Sequence, residues 1–302
     1  MISRLQFDTL TVQECFLHCF FTEKGYLKTK LISLLENTSH VPEIQSRHGL
    51  SLYLETAAHR IVFDFGPDDT FLHNAAELGV DIAAADLAFL SHGHYDHGGG
   101  LPAFLQVNDH APIYLHKNAF IPHWSSATRY IGLEQSLKTS PRLHYTDGVT
   151  HLGDGLTLIS GAPGHRFLAS SCAGLQMEQA DGSRLPDDFS HEQSLIVEEG
   201  DICLLVAGCA HTGILNIMEQ AQQVAGRPMT HVVSGFHLCQ PSRGIHEPEE
   251  TVCAIADELR RTPARYFTCH CTGMPSYEIL RRELGAQVSY LSGGMQIALA
   301  TG

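Results

Sequence analysis

The chain has 302 residues, enough for one large domain or two modest ones around a buried core. Hydrophobic residues at 43% and charged residues at 17% exclude a disordered chain, and a formal charge of −14 argues against nucleic acid as a partner. No run approaches the roughly 18–20 apolar residues needed to cross a bilayer, and the N-terminal patch CFLHCFF is too short and interrupted for a secretory signal. Nine cysteines without framework spacing read as reduced thiols, so a cytoplasmic location is expected.

Residues 1–28 lack sustained periodicity and are expected to be an extension outside the core, dispensable for folding. LISLL (Leu31 to Leu35), LSLYLET (Leu50 to Thr56) and RIVFDF (Arg60 to Phe65) have the composition of strands. DTFLHNAAELG has helical spacing, with Gly79 as its C-cap. DLAFLSH and APIYLH return to strands, and LPAFLQ reads as a helix. Residues 132–186 contain LTLIS but are otherwise rich in Gly, Pro, Ser and Asp, and are expected to form loops over a binding face. SLIVEEG and DICLLVAG form a hairpin turning at Glu199-Gly200. Helix and strand then alternate: ILNIMEQAQQV, THVVSG, EPEETVCAIADELRR, RYFTCH, PSYEILRREL. This order predicts two β-sheets packed together with helices outside, in one domain over residues 29–302.

The chemistry concentrates in SHGHYDHGGG, Ser91 to Gly100, directly after the apolar DLAFL. Three histidines and an aspartate in six positions repel when charged and gain little by packing, whereas a metal ion binds neutral imidazole and carboxylate together. His92 and His94, two apart after a strand, can point the same way, and Gly93 leaves the turn unobstructed. Asp96 and His97 lie one turn further on and can address a second ion. Such a set without thiolates suits an open, catalytic site. There a metal lowers the pKa of its water from 15.7 to about 7, giving a bound hydroxide at neutral pH. Asp96 can orient that nucleophile as well as bind metal.

H-x-H-x-D-H after an apolar strand resembles the signature of the metallo-β-lactamase superfamily, which implies an α/β fold of the αββα sandwich type, two mixed sheets flanked by helices. LLENTS, IVFDFG, LSHGHYDHGGGL, HEQSLIV, AGCAHTGILNI, VVSGFHL and CHCTG are similar to one subgroup. It comprises the 7,8-dihydropterin-6-methyl-4-(β-D-ribofuranosyl)aminobenzene 5′-phosphate synthases and uncharacterised bacterial relatives. The resemblance implies one or two divalent ions, zinc in the first place and iron or manganese otherwise. It assigns His92 and His94 to the first ion, Asp96 and His97 to the second. A third histidine before the hairpin falls on His191, with His165 of GAPGHR as the rival, and the last ligand falls on His270. Where most relatives carry a bridging aspartate, this chain has Cys209, and His211 two residues later is expected to reach back as the replacement, with Cys209 as the alternative ligand. The thiols of Cys269 and Cys271 are read as packing, because adjacent strand residues face opposite ways.

His237 is expected at an oxyanion or at the substrate. Arg166 and Arg243, or Thr272 and Gly273, are candidates for holding an anionic group. The expected function is a metal-dependent hydrolase of a small anionic metabolite, phosphorylated or cyclic. Alternatives are a synthase of the dihydropterin type and a non-hydrolytic iron-binding redox or sensor protein. Neither nucleic acid nor membrane is expected as a partner, and the sequence assigns no oligomeric state.

Overall fold

The computed structural model describes residues 29–240 and 243–300. The expected extension, residues 1–28, lies outside them. Two seven-stranded sheets dominate. The first runs in the order Gln296–Ala298, Lys30–Leu35, Ser51–Glu55, Arg60–Phe63, Leu87–Phe89, Ile113–His116, Leu143–Thr146. The second runs Val288–Tyr290, Arg265–Thr268, His231–Ser234, Ile202–Val206, Gln193–Glu199, Leu156–Ser160, Thr150–Gly153.

Each sheet is half antiparallel and half parallel. In the first, the pairings from Gln296–Ala298 to Arg60–Phe63 are antiparallel and the remainder parallel. In the second, the pairings from Val288–Tyr290 to Ile202–Val206 are parallel and the rest antiparallel. Parallel neighbours need crossovers, and helices supply them. Thr70–Glu77 and Leu101–Val107 serve the first sheet; Ile214–Ala225, Glu249–Arg260 and Met274–Leu284 serve the second.

The alternation of side chains along each strand builds the layers. Leu31, Leu52, Leu54, Ile61 and Phe63 meet Leu195, Val197, Leu204 and Val206 in a cluster between the sheets. The residues between them in sequence turn outward. Ile32, Tyr53 and Val62 pack under the helices of the first sheet, while Ile196, Cys203 and Leu205 pack under those of the second. Helix, sheet, sheet, helix is the predicted four-layer order. Among the described residues no helix is long and apolar enough to cross a membrane, and the seven described cysteines are free.

Residues 132–186 hold more regular structure than their composition suggests. Leu143–Thr146 and Thr150–Gly153 are the outer strands of the two sheets. Edge strands of four residues with His144 and Tyr145 exposed need no apolar pattern, which is why they read as loop.

Candidate metal centre

The ends of the parallel strands deliver the functional side chains to one edge of the sandwich. His92 follows Leu87–Phe89, Cys209 follows Ile202–Val206, His237 follows His231–Ser234 and His270 follows Arg265–Thr268. His94 precedes the short helix Tyr95–Gly98, which carries Asp96 and His97. Glycine is required at position 93, because a Cβ there would lie 2.2 Å from the carbonyl oxygen of Ala119. Three site residues, Ala210, His237 and His270, have φ between 48° and 55°, a conformation that non-glycine residues adopt at a cost.

Two imidazole pairs face each other. The Nε2 atoms of His97 and His270 are 3.3 Å apart, and those of His92 and His211 are 3.4 Å apart. Asp96 Oδ2 lies 3.4 Å from His270 Nε2 and 3.3 Å from His48 Nε2. Cys209 Sγ lies 3.2 Å from His97 Nε2 and within ligand spacing of both His92 and His97, so it sits between the pairs. His92, His94 and His211 form a second group at ligand spacing.

The Nδ1 partners decide what these pairs can do. His97 Nδ1 donates to Asp64 Oδ2 at 2.6 Å, and His270 Nδ1 donates to Asn37 Oδ1 at 2.8 Å. The Asn37 oxygen is identified by its second donor, the Gly49 N–H at 3.1 Å. Ser91 Oγ gives its proton to Asp64 Oδ2, so it accepts from His92 Nδ1 at 2.8 Å. His211 Nδ1 faces Cys172 Sγ at 3.7 Å. With the protons on Nδ1, each facing pair presents two Nε2 lone pairs to one another. Two lone pairs cannot form a hydrogen bond, but both can bind one cation.

Buried carboxylates hold the loops from behind. Glu36 accepts the His270 N–H at 2.6 Å, Asp64 the Ser91 N–H at 2.7 Å and Glu192 the His211 N–H at 2.7 Å. Their partners here are backbone amides, hydroxyls and imidazoles, so among the described residues no lysine or arginine pairs with the acidic groups of the site. Burial pushes the Glu192 carboxyl up, against its hydrogen bonds from Thr212 and His211. Burial would raise Asp96 as well. The imidazoles facing it, His270 first and then His97 and His48, outweigh burial and hold Asp96 well below the usual carboxylate range. Burial and mutual repulsion keep His92 and His211 neutral, the form that binds metal. Neutral His92 and His211 with converging lone pairs, and the His97 and His270 couple beside buried carboxylates, fit divalent cations.

Other expected residues fall differently. His191 is buried beside His94, but its Nδ1 accepts the Gly93 N–H at 2.8 Å. His165 is exposed on a loop. Arg166 pairs with Glu258 at 2.7 Å on the surface, and Arg243 donates to the carbonyl oxygen of Ala173, so neither reaches the cleft over the site. The Thr272 hydroxyl is buried and accepts the Phe236 N–H, while Gly273 precedes the last crossover helix. His237 lines the cleft with its ring centroid 4.1 Å from that of His211. Cys269 packs between the sheets as expected. Cys271 instead lines the cleft beside Cys209 and His237, because the strand ends at Thr268 and alternation no longer applies. Unforeseen members are Glu36, Asn37, His48, Asp64, His123, Asp187, Glu192 and Arg129. Arg129, hydrogen-bonded to the Tyr95 hydroxyl at 3.1 Å, is the one arginine or lysine on the cleft wall among the described residues.

A four-layer αββα sandwich with histidines and an aspartate converging at its edge defines the class, that of metallo-β-lactamase folds. The chain belongs to the metallo-β-lactamase superfamily, whose family model matches residues 46–201, just over half of it. It is 27% identical over 250 residues to the uncharacterised protein MJ0448 of Methanocaldococcus jannaschii, covering 80% of this chain and 89% of that one. It is 24% identical over 272 residues to the same organism's 7,8-dihydropterin-6-methyl-4-(β-D-ribofuranosyl)-aminobenzene-5′-phosphate synthase, covering 82% and 89%. Among solved structures it is similar to Tm1679, described as a metal-dependent hydrolase of the β-lactamase superfamily. That likeness has a TM-score of 0.77 at 26% identity and covers 90% of this chain and all of the other.

Proposed function

We propose that the protein is a metal-dependent hydrolase of a small anionic metabolite, a phosphate ester or a cyclic ester. The observation that carries this reading is the pair of converging Nε2 couples, His92 with His211 and His97 with His270, beneath an open cleft. His92, His94 and His211 would hold one ion, and Asp96, His97 and His270 the other, with the Cys209 thiol in the place between them. Zinc suits this mixed set of imidazole, carboxylate and thiol, with iron or manganese as the alternatives. When bound, such ions supply a water ionised near neutral pH and a Lewis-acidic contact for the substrate oxygen. The protein contributes the rest. Asp64, Asn37 and Ser91 keep protons on the far side of the rings, Asp96 accepts a proton or orients the attacking water, and Arg129 meets the anionic group.

Metal analysis of protein purified without added metal, followed by turnover of a panel of phosphate esters and lactones, tests the reading. Protein without bound metal would overturn it, as would a metal-loaded protein inert to every ester. Coloured, iron-loaded protein without hydrolysis would favour a redox or sensor role. Transfer without hydrolysis would favour the synthase reading suggested by the M. jannaschii relative.

The replacement of the bridging aspartate has its own expected result. His211→Ala should reduce metal occupancy by about one equivalent, because it removes half of a facing pair. Cys209→Ser should reduce it less, since His92 and His97 retain their other partners. Equal occupancy in wild type and His211→Ala, with loss in Cys209→Ser, would transfer the role to the thiol. Arg129→Ala should raise KM for a phosphate ester roughly 10-fold with little change in kcat, as expected for a charge-assisted contact of about 1.5 kcal/mol made equally in ground and transition states. An unchanged KM would remove Arg129 from substrate binding.

A further inference from the structure

Beside the proposed centre, Asp187 lies under the metal loop with its side chain fully buried and, among the described residues, no lysine or arginine paired with it. Two N–H groups donate to it and two further imidazole nitrogens lie nearby. His123 Nδ1 is 2.8 Å from Oδ2, the Phe189 N–H 2.8 Å from Oδ1, His191 Nε2 3.4 Å from Oδ1 and His94 Nε2 3.8 Å from Oδ2. The Nε2 atoms of His94 and His191 are buried and make no hydrogen bond, and Asp187 is the carboxylate beside both.

The tautomer of His191 follows from its other nitrogen. Nδ1 accepts the backbone N–H of Gly93 at 2.8 Å, so its lone pair is used there and the ring proton must sit on Nε2. An Nε2–H has no lone pair for a metal, and the carboxylate oxygen beside it is Asp187 Oδ1 at 3.4 Å. The chain of contacts therefore runs Asp187, His191, Gly93, and Gly93 is the residue between His92 and His94. On the same carboxylate, a proton on His94 Nε2 leaves Nδ1 as that ring's free donor atom.

We propose that His191 is a positioning residue and not a metal ligand, and that Asp187 anchors the H-G-H loop through both His191 and His94. This rests on the proposed metal centre, since it concerns how His92 and His94 are held for the ion. The four residues His94, His123, Asp187 and His191 also stand at metal-ligand spacing. A separate ion there would need the His191 lone pair that Gly93 already occupies.

The test uses the full chain in three variants, His191→Ala, His191→Asn and Asp187→Asn. Metal stoichiometry, affinity by chelator competition and the visible spectrum of the cobalt(II)-substituted protein are read for each. Asn at 191 offers an oxygen near the position of Nδ1 and can accept the Gly93 N–H. His191→Asn should therefore keep the wild-type stoichiometry and cobalt spectrum, and an affinity within a few-fold. His191→Ala and Asp187→Asn should each weaken binding about 10–100-fold, the usual cost of losing an outer hydrogen-bond partner, with the stoichiometry restored at high metal. A His191→Asn protein that loses one equivalent or shifts its cobalt bands would make His191 a ligand and overturn the proposal. Wild-type affinity in Asp187→Asn would remove it as the anchor. Wild-type protein that binds no metal would instead reject the metal centre itself, a separate failure.

Discussion

Asp96→Ala is expected to fold normally, lose one metal equivalent and lose at least about 10³-fold in hydrolytic rate, a barrier increase of about 4 kcal/mol. The carboxylate has no packing role to lose. It stands in the first turn of Tyr95–Gly98 with its oxygens toward His270 and His48, while the backbone carbonyl, which alanine retains, accepts the Leu50 N–H. Metal content by elemental analysis, turnover and thermal unfolding separate the outcomes. Retained metal and near-normal turnover would exclude a two-ion site built on Asp96.

Asp64→Ala should have the largest effect on stability. Asp64 is wholly buried and accepts the Ser91 N–H, the Ser91 hydroxyl and His97 Nδ1, all between 2.6 and 2.7 Å. Removing it strands donors in the core, and alanine must also adopt φ 61°, which costs a further 1–2 kcal/mol or so. A total loss of about 3–5 kcal/mol is expected, read as a drop of roughly 10 °C in the Tm of chelator-treated protein. Asp64→Asn tolerates the left-handed backbone and keeps an acceptor. It should unfold nearer to wild type but bind metal about 10–100-fold more weakly, because a neutral amide no longer supports His97. A chelator-treated Asp64→Ala protein as stable as wild type would show that Ser91 and His97 find other acceptors.

The parts of the site carried by short-range sequence were legible. Crowded His92, His94, Asp96 and His97 could be read as metal chemistry because the conflict among them is local. The strands and crossover helices were legible for the same reason, since apolar periodicity reports which face is buried. The supporting groups were not. Asn37 and Glu36 act on His270 from more than 230 residues away in sequence, and nothing in LLENTS says which loop it will meet. His191 could be placed beside the cluster by its position before the hairpin, but which of its nitrogens is left free depends on Gly93, whose N–H direction no pattern records. Arg166 and Arg243 illustrate the opposite error. A glycine-rich loop suggests reach, yet Glu258 and the carbonyl of Ala173 lie closer than the cleft. Arg129, in the undistinguished stretch SSATRY, is the residue that lines it.

Because the facing imidazoles come from different sheets, metal binding would also act as a clasp on the whole molecule. His97 follows a strand of the first sheet and His270 one of the second. Neither half of the chain alone contains a complete couple, so ions would bind only the finished fold. Ligand affinity then converts into resistance to unfolding, about 4 kcal/mol when free metal exceeds its dissociation constant 1,000-fold. A cell that starves the protein of metal would silence it and, at the same time, shorten its lifetime against proteolysis.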